Sequence, residues 1–153
     1  MVSRTSFKLD GVKELKAALD ALGPEVATKA GASGTRQATN IMRDAVKAAA
    51  PRGEQSTRKT WRNKDGSQGS ADYGRLHENI KTRKVRSRKA HTVSFQVTTG
   101  EAFWGRFSEF GTEREPARPW FKPAVDQIAA KVVASLTTEL KKAIQRTARK
   151  GKK

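Results

Sequence analysis

The sequence contains no cysteine, only two histidines and no long apolar run. Without cysteine, the chain has no disulfide, no thiolate ligand for zinc and no cysteine nucleophile. No run approaches the roughly 18 apolar residues that span a bilayer, so the sequence predicts no transmembrane helix. Residues 1–16 carry charges every few positions, and we expect no secretory signal there. The length of 153 residues and the 35% hydrophobic content predict one domain with one core.

Positive charge is in large excess and is unevenly distributed. The chain has 32 Lys and Arg against 15 Asp and Glu, a formal net charge of +17. Residues 51–90 hold 12 basic and 4 acidic side chains, while residues 141–153 hold 7 basic and none acidic. Such a surface suggests a polyanionic neighbour, either nucleic acid or an acidic protein surface, or it is simply solvated.

Hydrophobic periodicity predicts two helices in the first third of the chain. Apolar residues three and four apart predict a helix over 12–22, which Gly23-Pro24 separates from a second helix over 25–50. Pro51 ends the second helix because proline cannot donate a backbone hydrogen bond. Most side chains on its predicted face are small, so we expect a neighbouring element to approach closely. That face comprises Ala27, Ala30, Gly34, Ala38, Ile41, Ala45 and Ala49, with Met42 and Val46 beside it.

The second half of the chain predicts strands and a last helix. Residues 91–99 alternate apolar and polar side chains, which is typical of a half-buried strand. After a turn at Gly100-Glu101, the apolar stretch 102–110 is interpreted as a second strand. A helical stripe from Val125 to Ile144 predicts a long helix, followed by a basic tail at 146–153. The predicted fold is therefore α+β over residues 1–145, with two N-terminal helices, a small antiparallel sheet and a long C-terminal helix packed on it.

Residues 52–72 predict a flexible basic loop or arm, because they contain almost no large apolar side chain. Within it, cations surround one aromatic residue: Arg58, Lys59, Trp61, Arg62 and Lys64. Such a segment can neutralise phosphates while the indole stacks on a base. Alternatively, it is a solvated loop whose Trp packs on its own domain or on a neighbouring subunit. The pattern leaves both interpretations open.

A second basic segment follows the arm. Six cations occur in nine residues: Lys81, Arg83, Lys84, Arg86, Arg88 and Lys89. These side chains either track a nucleic-acid backbone or protect the edge of a strand against mispairing, and the second is the simpler interpretation.

Residues that carry catalytic or metal chemistry are mostly absent. His77-Glu78 lacks the second histidine of a zinc-protease motif. Glu109, Glu113 and Glu115 alternate with arginines, which favours local ion pairing over acid–base catalysis. We therefore expect no enzyme, no metal and no cofactor.

Residues 107–124 read Phe-Ser-Glu-Phe-Gly-Thr, then Glu-Arg-Glu, then Pro-Ala-Arg-Pro-Trp-Phe-Lys-Pro-Ala. This order resembles the tail-component family of long-tailed phages, the gp-ten-like tail-completion or neck proteins of the HK-type lambdoid group. Ala49-Ala50-Pro51, Gly74-Arg75-Leu76 and the strand from Val93 to Gly100 are similar to the family in the same order. Two features depart from it: the loop after Pro51 is long, and Trp120 replaces the usual aliphatic residue or Phe.

The resemblance implies a motif that maintains the fold or forms a subunit interface. Its residues are Glu109, Phe110, Gly111, Thr112, Arg118, Pro119, Trp120 and Phe121. We expect Glu109 to accept hydrogen bonds from Arg118 or from backbone amides of the turn. Gly111 is expected to adopt a backbone conformation closed to other residues. Trp120 and Phe121 are expected to anchor the last helix to the sheet or to another subunit.

The resemblance also implies a function. The protein would be a structural virion component at the head–tail connection, assembled in the host cytoplasm and acting without catalysis. It would form a ring with itself, as a hexamer, and dock to tail-tube, tail-terminator or head-connector proteins, with no membrane and with phage DNA nearby. The alternative is a basic nucleic-acid-binding protein without a virion role, whose affinity would fall steeply with salt.

Overall fold

A computed structural model describes residues 17, 20, 21, 23–53 and 58–150, without the side chains at 147, 148 and 150. These residues form four helices and two small antiparallel sheets of two strands each. In chain order the elements are α1 (Pro24–Ala49), β1 (Arg58–Arg62), β2 (Gln68–Asp72), α2 (Leu76–Asn79), β3 (Lys81–Val85), β4 (Ser94–Thr98), α3 (Gly105–Phe110) and α4 (Phe121–Lys150). Strand β1 pairs with β2, and β3 pairs with β4.

The predicted mixture of helices and small antiparallel sheets with a long C-terminal helix is confirmed. The described part of the N-terminal region contains one long helix, α1, rather than two. The predicted helix over 12–22 lies mostly outside the described residues, although Ala17 and Asp20 are helical. Helix α4 continues to Lys150 and so includes five residues of the predicted basic tail.

Two predictions of local structure are wrong. The segment 58–72 is a β-hairpin rather than a loop. The stretch 102–110 is not a strand, because Gly105–Phe110 forms the helix α3. Its aromatic residues lie at helical spacing, and Phe103 meets Phe107 edge to face with ring centroids 6.0 Å apart. The predicted turn at Gly100-Glu101 is confirmed, with Gly100 at φ +56°.

The chain divides into two compact units. The first comprises the described residues up to Thr39, then Lys84–Phe95 and the chain from Ala129 onwards, and the second comprises Asn40–Arg83 and Gln96–Ile128. Helices α1 and α4 each contribute residues to both units. The expectation of a single domain over 1–145 stays a prediction.

In the first unit, α1 and α4 approach closely at a glycine. A Cβ atom placed on Gly34 would lie 3.3 Å from Leu140 Cδ2 and 3.4 Å from Leu136 Cδ1. Ala30, Ala38 and Leu140 are buried in the same unit. The small side chains of α1 therefore admit the leucines of α4, as the sequence predicted.

In the second unit, the core gathers residues from the end of α1, from α2 and from the start of α4. Its buried members are Val46, Ala50, Leu76, Ile80, Ala102, Trp120 and Ala124. The buried face of α1 thus passes through Met42, Val46 and Ala50 rather than through the predicted Ala45 and Ala49, and Ala49 is exposed. The buried residues Ala30, Gly34, Ala38 and Val46 lie four or eight positions apart, with Met42 partly buried between the last two, so the face rotates slowly around the helix instead of keeping to one side.

Two glycines three residues apart in α1 provide a matched test of this close approach. A Cβ at Gly31 would meet nothing within 4 Å. We predict that Gly31→Ala raises the free energy of unfolding by about 1 kcal/mol, the helix-propensity gain of Ala over Gly. Gly34→Ala makes the same gain but must displace Leu136 and Leu140, so it will stabilise less or destabilise. Urea unfolding of both variants checks this, and equal stabilisation would show that α4 does not lie against Gly34.

Candidate functional site

The motif of residues 107–124 forms a joint between α3 and α4 around one carboxylate. Glu109, on α3, is only 8% exposed. Its Oε2 atom accepts hydrogen bonds from the backbone N–H groups of Trp120 at 2.7 Å and Phe121 at 2.8 Å. Its Oε1 atom accepts a third from the N–H of Lys122 at 3.1 Å. The carboxylate therefore receives three consecutive amides at the beginning of α4.

These bonds satisfy the whole N-terminus of α4. The first four N–H groups of a helix have no partner inside the helix. Helix α4 begins at Phe121, so these positions are Trp120, Phe121, Lys122 and Pro123. Glu109 accepts from the first three, and Pro123 has no N–H to satisfy. The negative carboxylate also lies at the positive end of the helix dipole.

The same geometry sets the ionisation of Glu109. Burial alone would raise the pKa of this carboxyl, but the backbone N–H donors of Phe121, Trp120 and Lys122 together outweigh burial. The pKa of Glu109 therefore lies below its ordinary value, and the group is a carboxylate at neutral pH. The sequence predicted backbone amides or Arg118 as partners. The amides are those of the next helix, while the backbone N–H of Arg118 donates to Ser108 O at 2.8 Å.

Gly111 allows the chain to leave α3 and return to α4. Its φ is +76°, and its N–H donates to Phe107 O at 2.8 Å. A Cβ atom there would lie 2.7 Å from Ala117 N and 2.9 Å from Glu115 O, which are backbone atoms. The predicted role of Gly111 is confirmed, because both the positive φ and the close backbone exclude a side chain. Thr112 follows, and its Oγ1 accepts the N–H of Glu115 at 3.1 Å.

The aromatic residues after the connection fix α4 in the core of the second unit. Trp120 is buried, and its Nε1 donates to Gly105 O at 3.3 Å. Its ring meets that of Phe121 edge to face, with centroids 5.7 Å apart. Both residues thus anchor the helix within the chain itself. Of the other motif residues, Phe110, Thr112, Arg118 and Pro119 are exposed.

The hairpin of β1 and β2 is held by its turn and by one cross-strand contact. Asn63 N donates to Ser67 O, Asn63 Nδ2 donates to Ser67 Oγ, and Ser67 N donates to Asp65 Oδ1, all within 2.9 Å. Hydrogen bonds from the side chain and backbone of Ser67 lower the pKa of Asp65. Gly66 takes φ +84° in the turn. These residues, Asn63-Lys64-Asp65-Gly66-Ser67, are the sequence signal for a hairpin that composition alone had obscured.

Trp61 and Gly69 are paired opposite each other in the hairpin. A Cβ on Gly69 would lie 2.6 Å from Trp61 Cε2 and Nε1, so the indole covers the glycine closely. Trp61 Nε1 donates to Asn63 Oδ1 at 3.0 Å, and the residue is still 42% exposed. The indole thus packs on its own hairpin, and the choice between the two interpretations of the segment stays a prediction. All five residues of β1 are exposed, and so is Lys64.

The second basic segment is a strand only in its first half. Lys81, Arg83 and Lys84 lie on β3, and Arg86, Arg88 and Lys89 follow it. All six residues lie at the surface, and none forms an ion pair with another described residue. The neighbouring Thr82 instead donates from Oγ1 to Asn40 Oδ1 at 3.1 Å. The arrangement is compatible with both predicted roles.

One surface feature was missed by sequence reasoning. Tyr73, Trp104, Phe103 and Phe107 form a row in which successive rings meet edge to face at 5.5–6.0 Å. Phe103 is 52% exposed, Phe107 41% and Phe110 79%. We call the last three the aromatic patch. Their spacing is helical, but spacing alone does not reveal that this face lacks a covering element among the described residues.

Comparison of the chain with protein-family models, curated proteins and solved structures finds no match. In the part of the chain that the structure describes, no three His, Cys, Asp or Glu side chains gather as metal ligands. None of the described helices is long and apolar enough to cross a membrane. The phage resemblance therefore depends on the sequence motifs alone.

We predict that Glu109→Gln destabilises the protein by about 1–3 kcal/mol, the cost of leaving buried amides without a full acceptor. A neutral amide retains one carbonyl oxygen but forgoes the charge-assisted bonds and introduces an N–H₂ group facing amide donors. Denaturant unfolding measures the change. Glu113→Gln is the matched control, because Glu113 is exposed in the same connection. Equal effects of the two substitutions would refute the role given to Glu109.

The free energy of unfolding should also depend on pH through the ionisation of Glu109. The pKa of Glu109 is lower in the folded protein than in the unfolded chain. Its contribution is therefore fully present above the ordinary pKa of a glutamate and is lost as pH falls through the folded pKa. In unfolding experiments from neutral pH to below pH 4, the stability difference between wild type and Glu109→Gln should shrink as the pH falls. A constant difference would show that ionisation of Glu109 contributes nothing.

Gly66 and Gly111 have similar φ values but differently crowded surroundings. Alanine substitutions at the two positions therefore separate the cost of a left-handed backbone conformation from the cost of steric overlap. A Cβ on Gly66 would meet nothing within 4 Å, whereas one on Gly111 would overlap backbone atoms. Gly66→Ala should cost about 1–2 kcal/mol for the left-handed conformation. Gly111→Ala should cost a further ~1–3 kcal/mol for the overlap. Thermal unfolding of both variants tests this. A similar loss of stability in each would mean that the chain around Gly111 shifts to accommodate a Cβ atom without strain.

Proposed function

We propose that this protein is a structural virion component of a tailed phage, a tail-completion or neck protein at the head–tail connection. The proposal is supported by the ordered motifs, above all residues 107–124, whose side chains act together in one joint. In this proposal the protein performs no chemical step. Ring assembly and docking to tail-tube, tail-terminator or head-connector proteins are its activity. The fold proposed for this component also includes a second N-terminal helix over residues 12–22.

The joint offers a physical reason for the motif in such a role. Glu109, Gly111 and Pro123 set where α4 begins, and Trp120 fixes it to the core. A ring subunit repeats the same contacts around an axis, so small errors in element position accumulate from copy to copy. A helix whose first turn is fully satisfied within its own chain gives each copy the same geometry.

The aromatic patch supports assembly by contact with another protein surface. Three phenylalanines, Phe103, Phe107 and Phe110, are 41–79% exposed in the second unit. Exposed aromatic groups of this kind are typical of interfaces, whose centres are enriched in Phe, Tyr and Trp. In a ring, each contact joins one patch of a subunit to a different patch of the next subunit. The aromatic patch of one copy would therefore meet a different surface of the neighbouring copy.

The alternative function is a basic nucleic-acid-binding protein without a virion role. The net charge of +17 supports it, as do the exposed cations of the hairpin and of the segment 81–89. It predicts monomers or small oligomers that bind DNA, whereas the virion proposal predicts closed rings. The mass of the protein separates the two.

The proposal predicts closed rings that persist at high salt, because an interface centred on aromatic side chains is not screened by ions. The measurement is the native mass of nuclease-treated protein in moderate and high salt, with negative-stain images of the same samples. Phe110→Ser should shift the equilibrium toward monomer without loss of helix signal in circular dichroism. Val85→Thr, at an exposed apolar residue outside the patch, should leave the rings intact.

One result would contradict this proposal: a protein that is monomeric at every salt and protein concentration and also binds DNA, which favours the alternative. A ring that forms equally well with Phe110→Ser and with wild type would keep the ring and remove the aromatic patch from its interface.

A further inference from the structure

We propose that the hairpin of residues 58–72 is a DNA-binding ribbon that enters the major groove of duplex DNA without sequence specificity. The proposal does not depend on the virion role, because it concerns a surface of the second unit alone. It assigns the four hairpin cations, Arg58, Lys59, Arg62 and Lys64, to phosphates on both sides of the groove.

The shape of the element fits this site. The major groove of B-DNA is wide enough for an α-helix or a two-stranded β-ribbon. The hairpin is such a ribbon, five residue pairs long in antiparallel register, and every residue of β1 is exposed. Neither face of β1 is therefore covered by the rest of the described chain, and both can approach a ligand.

The charges are distributed as a groove requires. In the ladder, Arg58 and Arg62 lie on one face, opposite Asp72 and Gln68, and Lys59 lies on the other face, opposite Ala71. Lys64 lies in the turn at the tip. Arg58 faces the carboxylate of Asp72 across the ladder, whereas Lys59, Arg62 and Lys64 form no ion pair with another described residue. A ribbon with cations on both faces can reach the phosphates of both strands that line the groove.

Contacts within the hairpin hold its turn and its register. The hydrogen bonds among Asn63, Asp65 and Ser67 close the turn, and Trp61 covers Gly69 across the ladder. Two-stranded ribbons are otherwise marginal in water. Because these contacts already hold the register, little conformational entropy is lost when the cations meet phosphates. Trp61 acts here as a positioning residue.

The composition of the ribbon favours DNA over an acidic protein partner. Centres of protein interfaces are depleted in charged residues and need apolar anchors. Strand β1 has three cations among five residues and only Trp61 as an apolar group, whose indole already packs on Gly69. Double-stranded RNA is a poorer fit, because its major groove is too narrow for side chains to enter.

The test is a pair of variants of equal net charge, each with four cations changed to glutamine. The hairpin variant carries Arg58→Gln, Lys59→Gln, Arg62→Gln and Lys64→Gln. The control variant carries Lys131→Gln, Lys141→Gln, Arg146→Gln and Arg149→Gln, at exposed positions of α4. Fluorescence anisotropy measures the affinity of each full-length protein for one labelled DNA duplex of mixed sequence, between 50 and 200 mM salt, and circular dichroism verifies the fold.

The slope of log affinity against log salt is about 0.9 for each DNA phosphate that the protein neutralises. Because four cations are removed, the slope of the hairpin variant should be lower than that of the wild type by about 3.6, and the slope of the control variant by less than about 1. An RNA duplex of the same sequence should bind more weakly than the DNA duplex. An equal decrease of slope in both variants would overturn the proposal and show diffuse attraction by net charge. Equal affinity for RNA and DNA would overturn insertion into the major groove.

Because the control variant has the same net charge as the hairpin variant, a difference in slope reports the position of the cations, and ring assembly is measured separately by native mass. A protein that forms rings and fails this test keeps the proposed virion role and has no DNA ribbon. A protein that passes this test and forms no ring keeps the ribbon and has no virion role of the proposed kind.

Discussion

The structure of the second unit depends on one buried carboxylate. Glu109 accepts the three amides that α4 cannot satisfy itself, and Pro123 removes the fourth. The position of α3 is thereby tied to the first turn of α4, and Trp120 is placed in the core against Gly105. The chain reverses between the two helices at Gly111. A Cβ atom on this residue would lie only 2.7 Å from Ala117 N, so the position needs a glycine. Four widely spaced motif residues thus serve a single interaction.

Sequence reasoning predicted the parts whose signals are local. The long helix α1, its end at Pro51, strand β4 and the turn at Gly100 follow from periodicity and from the chemistry of Pro and Gly. Prediction from sequence failed where the composition of a segment indicated one structure and its spacing or turn residues indicated another. The apolar stretch 102–110 has the composition of a strand, yet Phe103 and Phe107 lie at helical spacing and their rings meet. The hairpin was missed because its strands lack apolar alternation and its stability comes from the turn and from Trp61 on Gly69.

The candidate site was predictable in identity but not in geometry. Glu109, Gly111 and Trp120 were singled out from the motif, whereas the partners of Glu109 depend on where α4 begins in space. The rotation of the buried face of α1 toward Val46 and Ala50 also depends on tertiary packing, since Ala49 and Ala50 are both apolar in sequence. Two surfaces remain uncovered by the described chain: the aromatic patch and the cationic hairpin. The first surface is apolar and the second is basic.

The Glu109 carboxylate holds the first turn of α4. Amide hydrogen exchange at Trp120, Phe121 and Lys122 measures this hold directly, residue by residue. We expect slow exchange of these three amides in the wild type at neutral pH. In Glu109→Gln, exchange of the same three should accelerate more than that of amides in the middle of α4. Equal protection of the three amides in both proteins would contradict this role of Glu109, because it would mean that α4 begins where it does without the carboxylate.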